Sequence, residues 1–177
     1  HYQGAALAWE RAAFTRARAA AGDIAAGEAF LDAIRPFVWR SQLDFGAVEE
    51  IRALTHRIRH NHEGPAAPGP GFDVKRGRGG IREIEFYAQT HQLIHGGRDA
   101  SLRVRGTRAA LDALAAGGWI AGENASVLGE AYDRLREIEH RLQMVNDRQT
   151  HALPEGEALD NVARLDGLAG GAALVAE

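Results

Sequence analysis

No cysteine occurs in the 177 residues. Disulfides, thiolate nucleophiles and cysteine-based zinc sites are therefore excluded, and a reducing, cytoplasmic setting suits the chain. No apolar run approaches the roughly 20 residues that span a bilayer, and no signal peptide is visible, so no membrane association is expected. Neither sign of charge dominates. Lysine and arginine number 21 against 24 acidic residues, for a net charge of −3, which offers no overall attraction to nucleic acid. Proline is scarce, and three of its five occurrences fall within His62–Gly71. Also missing are a P-loop, a dinucleotide fingerprint, an HExxH helix and a Ser-His-Asp arrangement. The chain shows no natural start or stop features at His1 or Glu177, and both ends read as cuts in a longer protein.

What remains is the composition of a soluble globular chain, with a length that suits one domain or the junction of two. Helix patterns dominate. Residues 5–20 are rich in Ala and Arg and stop at Gly22. Residues 26–40 carry the apolar stripe Phe30, Ile34 and Phe37/Val38, which Pro36 should kink or end early. Residues 46–60 set Val48, Ile51, Leu54 and Ile58 on one face. His62–Gly71, with three prolines and three glycines, is a loop. Phe72–Lys75 has the composition of a short strand, Arg76–Gly80 is a Gly-rich turn, and a helix follows from Ile81 to His95, stopped by Gly96-Gly97. Further helices are expected over 105–116, 123–149 and 157–168. The long one repeats Leu128, Ala131, Leu135, Ile138, Leu142 and Val145, a seam for bundle packing, with Glu137 and Arg141 as an i,i+4 pair on another face. Trp9, Trp39 and Trp119 read as packing anchors.

Lys75–Glu85 (KRGRGGIREIE) is the first candidate for chemistry. Its glycines permit close backbone approach, its end is a helix N-terminus that favours anions, and Lys75, Arg76, Arg78 and Arg82 add positive charge. The same features also describe a structural turn with a solvated basic rim. Glu83 and Glu85 point roughly 200° apart on a helix and cannot both line one small site. His56 and His60 stand at i,i+4 near His62, and His91 and His95 are likewise spaced, yet no metal-ligating set emerges. His140 and His151 have no partner that spacing reveals.

DVKRGRGGIREIEFYAQTHQLIHGGRDASLRVRGT, from Asp73, resembles the stretch of glutamine synthetase adenylyltransferases where the nucleotidyltransferase domain closes and a helical bundle begins. Arg134–Pro154 (RLREIEHRLQMVNDRQTHALP) looks like the long bundle helix of that family, and Tyr2–Asp23 like its Tyr…Trp-Glu-Arg…Lys-Ala-Arg helix, with Arg16 where the family has lysine. The resemblance implies a mainly α chain with one short strand near 72–75. Residues 1–96 would end a nucleotidyltransferase domain and 97–177 would begin a bundle. It also implies a bifunctional enzyme that attaches AMP to a tyrosine of glutamine synthetase and removes it by phosphorolysis to ADP. GGIREIEF together with RLQMVNDRQTHALP is most like the amino-terminal, adenylyl-removing half. Mg²⁺, ATP or ADP, and phosphate are the implied cofactor and substrates; glutamine synthetase and a PII signalling protein are the implied partners. Lys75, Arg78 and Arg82 would stabilise phosphate charge, Gly79 and Gly80 would give close approach, and Glu83 or Glu85 would orient a basic neighbour or a metal-bound water. The family's Gly-Ser…Asp-x-Asp carboxylates do not occur in this sequence and are expected upstream, so the segment alone is expected to be inactive. Two other readings stand beside this one: a helical module that binds a PII-type protein through the 128–145 seam, and a fragment of the related PII uridylyltransferase.

Overall fold

The computed structural model describes residues 8–41, 49–50, 53, 56, 64–145 and 149–176. Within them the chain is mainly helical: α1 (Ala8–Phe14), α2 (Ile24–Val38), α3 (Ile81–His95), a 3₁₀ turn at Ala100–Leu102, α4 (Thr107–Ala116), α5 (Gly122–Met144), α6 (Gly156–Leu165) and α7 (Gly171–Ala176). No helix of the described residues is long and apolar enough to cross a membrane. Val48, Ile51, Leu54 and Ile58 of the helix expected over 46–60 lie outside the described residues, as do His60 and His62; Glu49, Glu50, Ala53 and His56 are helical.

The chain folds as two compact units, His1–Thr55 with Glu85–Val127, and His56–Ile84 with Leu128–Glu177. In the first, α1 stops sooner than its alanine-rich composition suggests. The Thr15 hydroxyl donates to Ala12 O at 2.7 Å, and the amides of Thr15, Arg16 and Ala17 bond three residues back, so the last turn tightens and ends. The Asp23 carboxylate caps α2 by accepting from Ala26 N at 2.9 Å. Pro36 falls in the last turn of α2, which ends two residues later. Ala12, Ile34, Phe37, Val38 and Leu93 form the core, with Trp39 packed against it. Gly96 and Gly97 do more than stop α3. A Cβ on Gly96 would meet the Trp39 ring at 2.8 Å, and one on Gly97 would overlap the Arg40 carbonyl. Buried Gln92 donates to Leu102 O (2.6 Å) and Val104 O (2.7 Å), pinning the loop that follows α3. Trp119 N bonds to Leu114 O at 2.9 Å around Gly118 at φ 72°, which closes α4. Trp9 and Trp119 are not buried anchors; they are 53% and 41% exposed.

The second unit is built on Phe72, Val74, Ile138, Leu142, Leu153 and Val162. The strand expected near 72–75 is an isolated antiparallel bridge between Asp73 and Ala152, flanked by Leu153 N to Phe72 O (2.9 Å) and Val74 N to His151 O (2.9 Å). It runs no further because the backbone turns directly after Asp73. The α5 seam is largely core. Ile138 and Leu142 are buried and Leu135 and Val145 pack beside them, while Leu128 is half-buried and Ala131 exposed. Burial within the same chain removes the support that the seam lent to a partner-docking module. The Glu137–Arg141 pairing gives way to another. Glu137 meets Arg134 (3.5 Å), and Arg141 approaches Asp166 (3.6 Å), a nearly buried carboxylate that also holds Arg134. A carboxylate shielded from water attracts cations more strongly than an exposed one. The sequence pattern did not reveal α7, whose first amide bonds to Asp160 Oδ1 at 2.8 Å.

If the seam is core, Leu142→Ala lowers stability by about 3 kcal/mol in denaturant unfolding, whereas truncating the exposed Val127 to alanine costs less than about 0.5 kcal/mol. Equal small effects would place the seam outside the core.

Candidate functional site

The turn that connects Asp73 to α3 is held from inside. Asp73 is buried, and its Oδ1 accepts from Lys75 N (2.9 Å) and Arg76 N (2.7 Å), while Oδ2 accepts from Arg76 Nε (2.9 Å). Burial pushes this carboxyl up, but the Arg76 amide, the Arg76 guanidinium and the Lys75 amide together outweigh it, and the pKa lies below the ordinary aspartate value. Gly77 N returns to Asp73 O at 2.7 Å. The donors at the start of α3 are then taken in sequence. Gly80 N bonds to Gly77 O (2.9 Å), Ile81 N to Val74 O (3.0 Å), Arg82 N to Lys75 O (3.0 Å) and Glu83 N to Gly80 O (3.0 Å). Gly79, at φ +75°, donates its amide to Glu83 Oε2 at 3.2 Å, a side-chain return of the capping-box kind. The close approach at Gly80 is to the chain's own carbonyls: an added Cβ would sit 2.8 Å from Val74 O, 2.9 Å from Gly77 O and 3.0 Å from Lys75 O. An anion arriving here would therefore meet side chains before backbone amides.

Those side chains have distinct surroundings. Arg78 is exposed and Arg82 half-buried. Arg76 is occupied by Asp73. The Lys75 ammonium lies 3.3 Å from Glu139 Oε1. Glu83 turns back to the loop, whereas Glu85, counted with the first unit, pairs with Arg16 at 2.8 Å; Arg16 also reaches the Thr107 hydroxyl. The two glutamates thus serve different neighbours, as their separation on a helix requires.

Glu139 is the residue that sequence reasoning missed. Its side chain is 2% exposed, and Arg136, Lys75 and His151 converge on it, with His151 Nδ1 at 3.0 Å from Oε1. A signal for it existed. Leu135, Glu139 and Leu142 stand at i, i+4 and i+7, so a charged residue sits on the apolar face of α5. The His151 partnership carried no such signal, because His151 lies beyond the end of α5 and no helical spacing relates the two.

In the first unit, Tyr87, His91, His95 and Trp119 form a run of rings, with centroids at 4.7, 6.0 and 4.0 Å in that order, and Trp119 Nε1 donates to Asp99 Oδ2 at 3.3 Å. Burial lowers the pKa of both His91 and His95; the neighbouring His95 adds to the effect on His91, and Arg98 to that on His95. No cluster of three or more His, Asp or Glu among the described residues could hold a metal ion.

Two outcomes follow from this geometry. Gly80→Ala forces its new methyl against three backbone carbonyls and lowers stability by about 2 kcal/mol in chemical unfolding; an unchanged midpoint would mean that the turn is not packed as described. The stack, for its part, favours neutral imidazoles. The folded pKa values lie below 6.5, so this contribution is complete above that pH and is lost as pH falls beneath it. The thermal midpoint should drop between about pH 7.5 and 5.5, and less steeply in the His91→Gln/His95→Gln variant; parallel profiles would refute it.

A family model described as GlnD PII-uridylyltransferase matches residues 49–176. The bifunctional glutamine synthetase adenylyltransferase/adenylyl-removing enzyme of Agrobacterium fabrum is 54% identical over 159 residues, which cover 89% of this chain and 16% of that protein. Its namesake in Bradyrhizobium diazoefficiens is 51% identical over 168 residues, 94% of this chain and 17% of the relative. In Rhizobium meliloti the figures are 51% over 158 residues, 89% and 16%. The chain spans only 16–17% of the length of these curated relatives. It belongs to the GlnD PII-uridylyltransferase family, in the form carried by bifunctional glutamine synthetase adenylyltransferase/adenylyl-removing enzymes.

Proposed function

We propose that this chain is part of a nucleotidyltransferase that removes AMP from a tyrosine of adenylylated glutamine synthetase. Residues 1–96 would close the catalytic domain and 97–177 would open the helical bundle. The observation that carries the reading is the braced turn at Asp73–Glu83, which presents Arg78 and Arg82 beside the start of α3. Support for the substrate comes from the names of relatives at about 50% identity.

In the proposed reaction, an oxygen of inorganic phosphate attacks the phosphorus of the AMP–tyrosine diester. The new P–O bond yields ADP, the bond to the tyrosine oxygen breaks, and that oxygen takes up a proton. Negative charge spreads over the phosphoryl oxygens on the way. Arg78, Arg82 and Lys75 stabilise it. Gly79 and Gly80 contribute by giving the turn its shape and Glu83 by closing it. Bound Mg²⁺ would neutralise phosphate oxygens. The carboxylates around the turn do not fit that ion. Asp73, Glu83, Glu85 and Glu139 are each engaged by arginine, lysine, histidine or a backbone amide. The metal ligands are proposed to come from elsewhere in a longer protein, and the segment alone to be inactive. A cytoplasmic setting and control by a PII signalling protein belong to the same proposal.

The family model's own description favours a second reading, a segment of a PII uridylyltransferase. One set of assays separates the two. In a full-length protein carrying this segment, phosphate-dependent release of ADP from adenylylated glutamine synthetase supports the first reading, and uridylyl transfer to or from a PII protein the second. In the first case, Arg82→Ala slows phosphorolysis by at least about tenfold. A normal rate would remove Arg82 from the proposed role.

A further inference from the structure

Glu139 is a buried charge that the proposed reaction does not use. A carboxylate this far from water is costly unless it is paired and hydrogen-bonded. Arg136, one turn back on α5, approaches Oε2 and already balances its charge. Yet Lys75 Nζ stands 3.3 Å from Oε1, and His151 Nδ1 3.0 Å from the same oxygen. Arg136 and Lys75 together bring two positive charges to the single negative charge of Glu139, so the pair leaves one positive charge in excess. The excess is accessible. The Lys75 and Arg136 side chains are 30% and 37% exposed, whereas Glu139 is 2% exposed. A soluble anion can therefore reach the Lys75 side chain but not the carboxylate beneath it.

The head of Lys75 is ion-paired, and its backbone is hydrogen-bonded on both sides. Its amide donates to Asp73 Oδ1 at 2.9 Å, and its carbonyl accepts from Arg82 N at 3.0 Å. A lysine anchored at both ends has little rotamer freedom left to lose when it binds an anion. We propose that Glu139 is a positioning residue: it fixes the Lys75 ammonium at the surface of the second unit as a pre-oriented site for a phosphate group. This rests on the reading above that Lys75 meets phosphate. Glu139 acts through Lys75 and touches no substrate. A buried ion pair with a purely structural role is the competing account. That account predicts a less stable enzyme whose affinity for phosphate is unchanged.

The test uses the full-length enzyme, with inorganic phosphate as the varied substrate and adenylylated glutamine synthetase at saturation. Lys75→Ala and Glu139→Gln should each raise KM for phosphate by roughly tenfold, with a smaller effect on kcat. The double variant should be no worse than Lys75→Ala alone, because Glu139 acts only through that lysine. Glu139→Asp keeps a buried negative charge but shortens its reach toward Lys75, and it should also raise KM for phosphate. This variant carries the test if Glu139→Gln does not fold. If Lys75→Ala leaves KM for phosphate unchanged, the phosphate role of Lys75 fails and this inference with it. If Lys75→Ala raises KM while folded Glu139→Gln or Glu139→Asp retains the wild-type value, the positioning role alone is overturned. A loss confined to kcat or to thermal stability in the Glu139 variants overturns it as well.

Discussion

The Asp73 carboxylate is the constraint on which the candidate site depends. By accepting from Lys75 N and Arg76 N, it turns the backbone immediately after the bridge to Ala152. The turn delivers the Val74 and Lys75 carbonyls to the first amides of α3, and Gly80 is the residue that lets three carbonyls crowd that point. The start of α3, the face on which Arg82 lies and the path of the Lys75 side chain toward Glu139 all follow from it. A helix start that is satisfied by its own chain no longer offers free amides. It offers side chains instead, and this shifts the chemical weight of the segment from glycine backbone to arginine and lysine.

The second unit places two further carboxylates under arginine. Glu139 gathers Arg136, Lys75 and His151; Asp166 gathers Arg134 and Arg141. Such groups tie segments together at the expense of desolvation, and apolar pairs of like volume would do so equally well. The place of Glu139 on α5, whose neighbouring positions are filled by Ile138 and Leu142, is what makes it a functional candidate. Asp166 lacks that distinction. Its two arginines bind α5 to the end of α6, and Glu137 also meets Arg134, so two carboxylates balance two guanidiniums and no cation is left in excess.

Much of this was legible in the residue pattern. The helices that follow Gly80 and Gly106 obey periodicity and glycine stops, and α3 begins and ends where the pattern puts it. The 3-4-3-4-3 seam of α5 is core over Leu135–Leu142. The angular separation of Glu83 and Glu85 says that they cannot both line one small site, and the folded chain gives them different neighbours, the Gly79 amide and Arg16. Less legible were the short α1, where a threonine hydroxyl competes for a helix carbonyl, and α7, whose start depends on Asp160. The anchor assigned to Trp9 was misjudged because aromatic identity does not reveal which face of an element is covered, whereas Trp119 packs on His95 although it is partly exposed.

The residue pattern alone establishes a mainly helical chain, a basic Gly-rich turn ahead of α3 and kinship with a nucleotidyltransferase family, because helix periodicity, glycine placement and short motifs are local properties that one segment carries complete. Only the folded chain decides that Lys75 points to Glu139, that His151 shares the same oxygen and that the first amides of α3 are consumed internally. Those facts arise where separate segments converge out of water, and a carboxylate's partners there are chosen by burial and charge rather than by spacing.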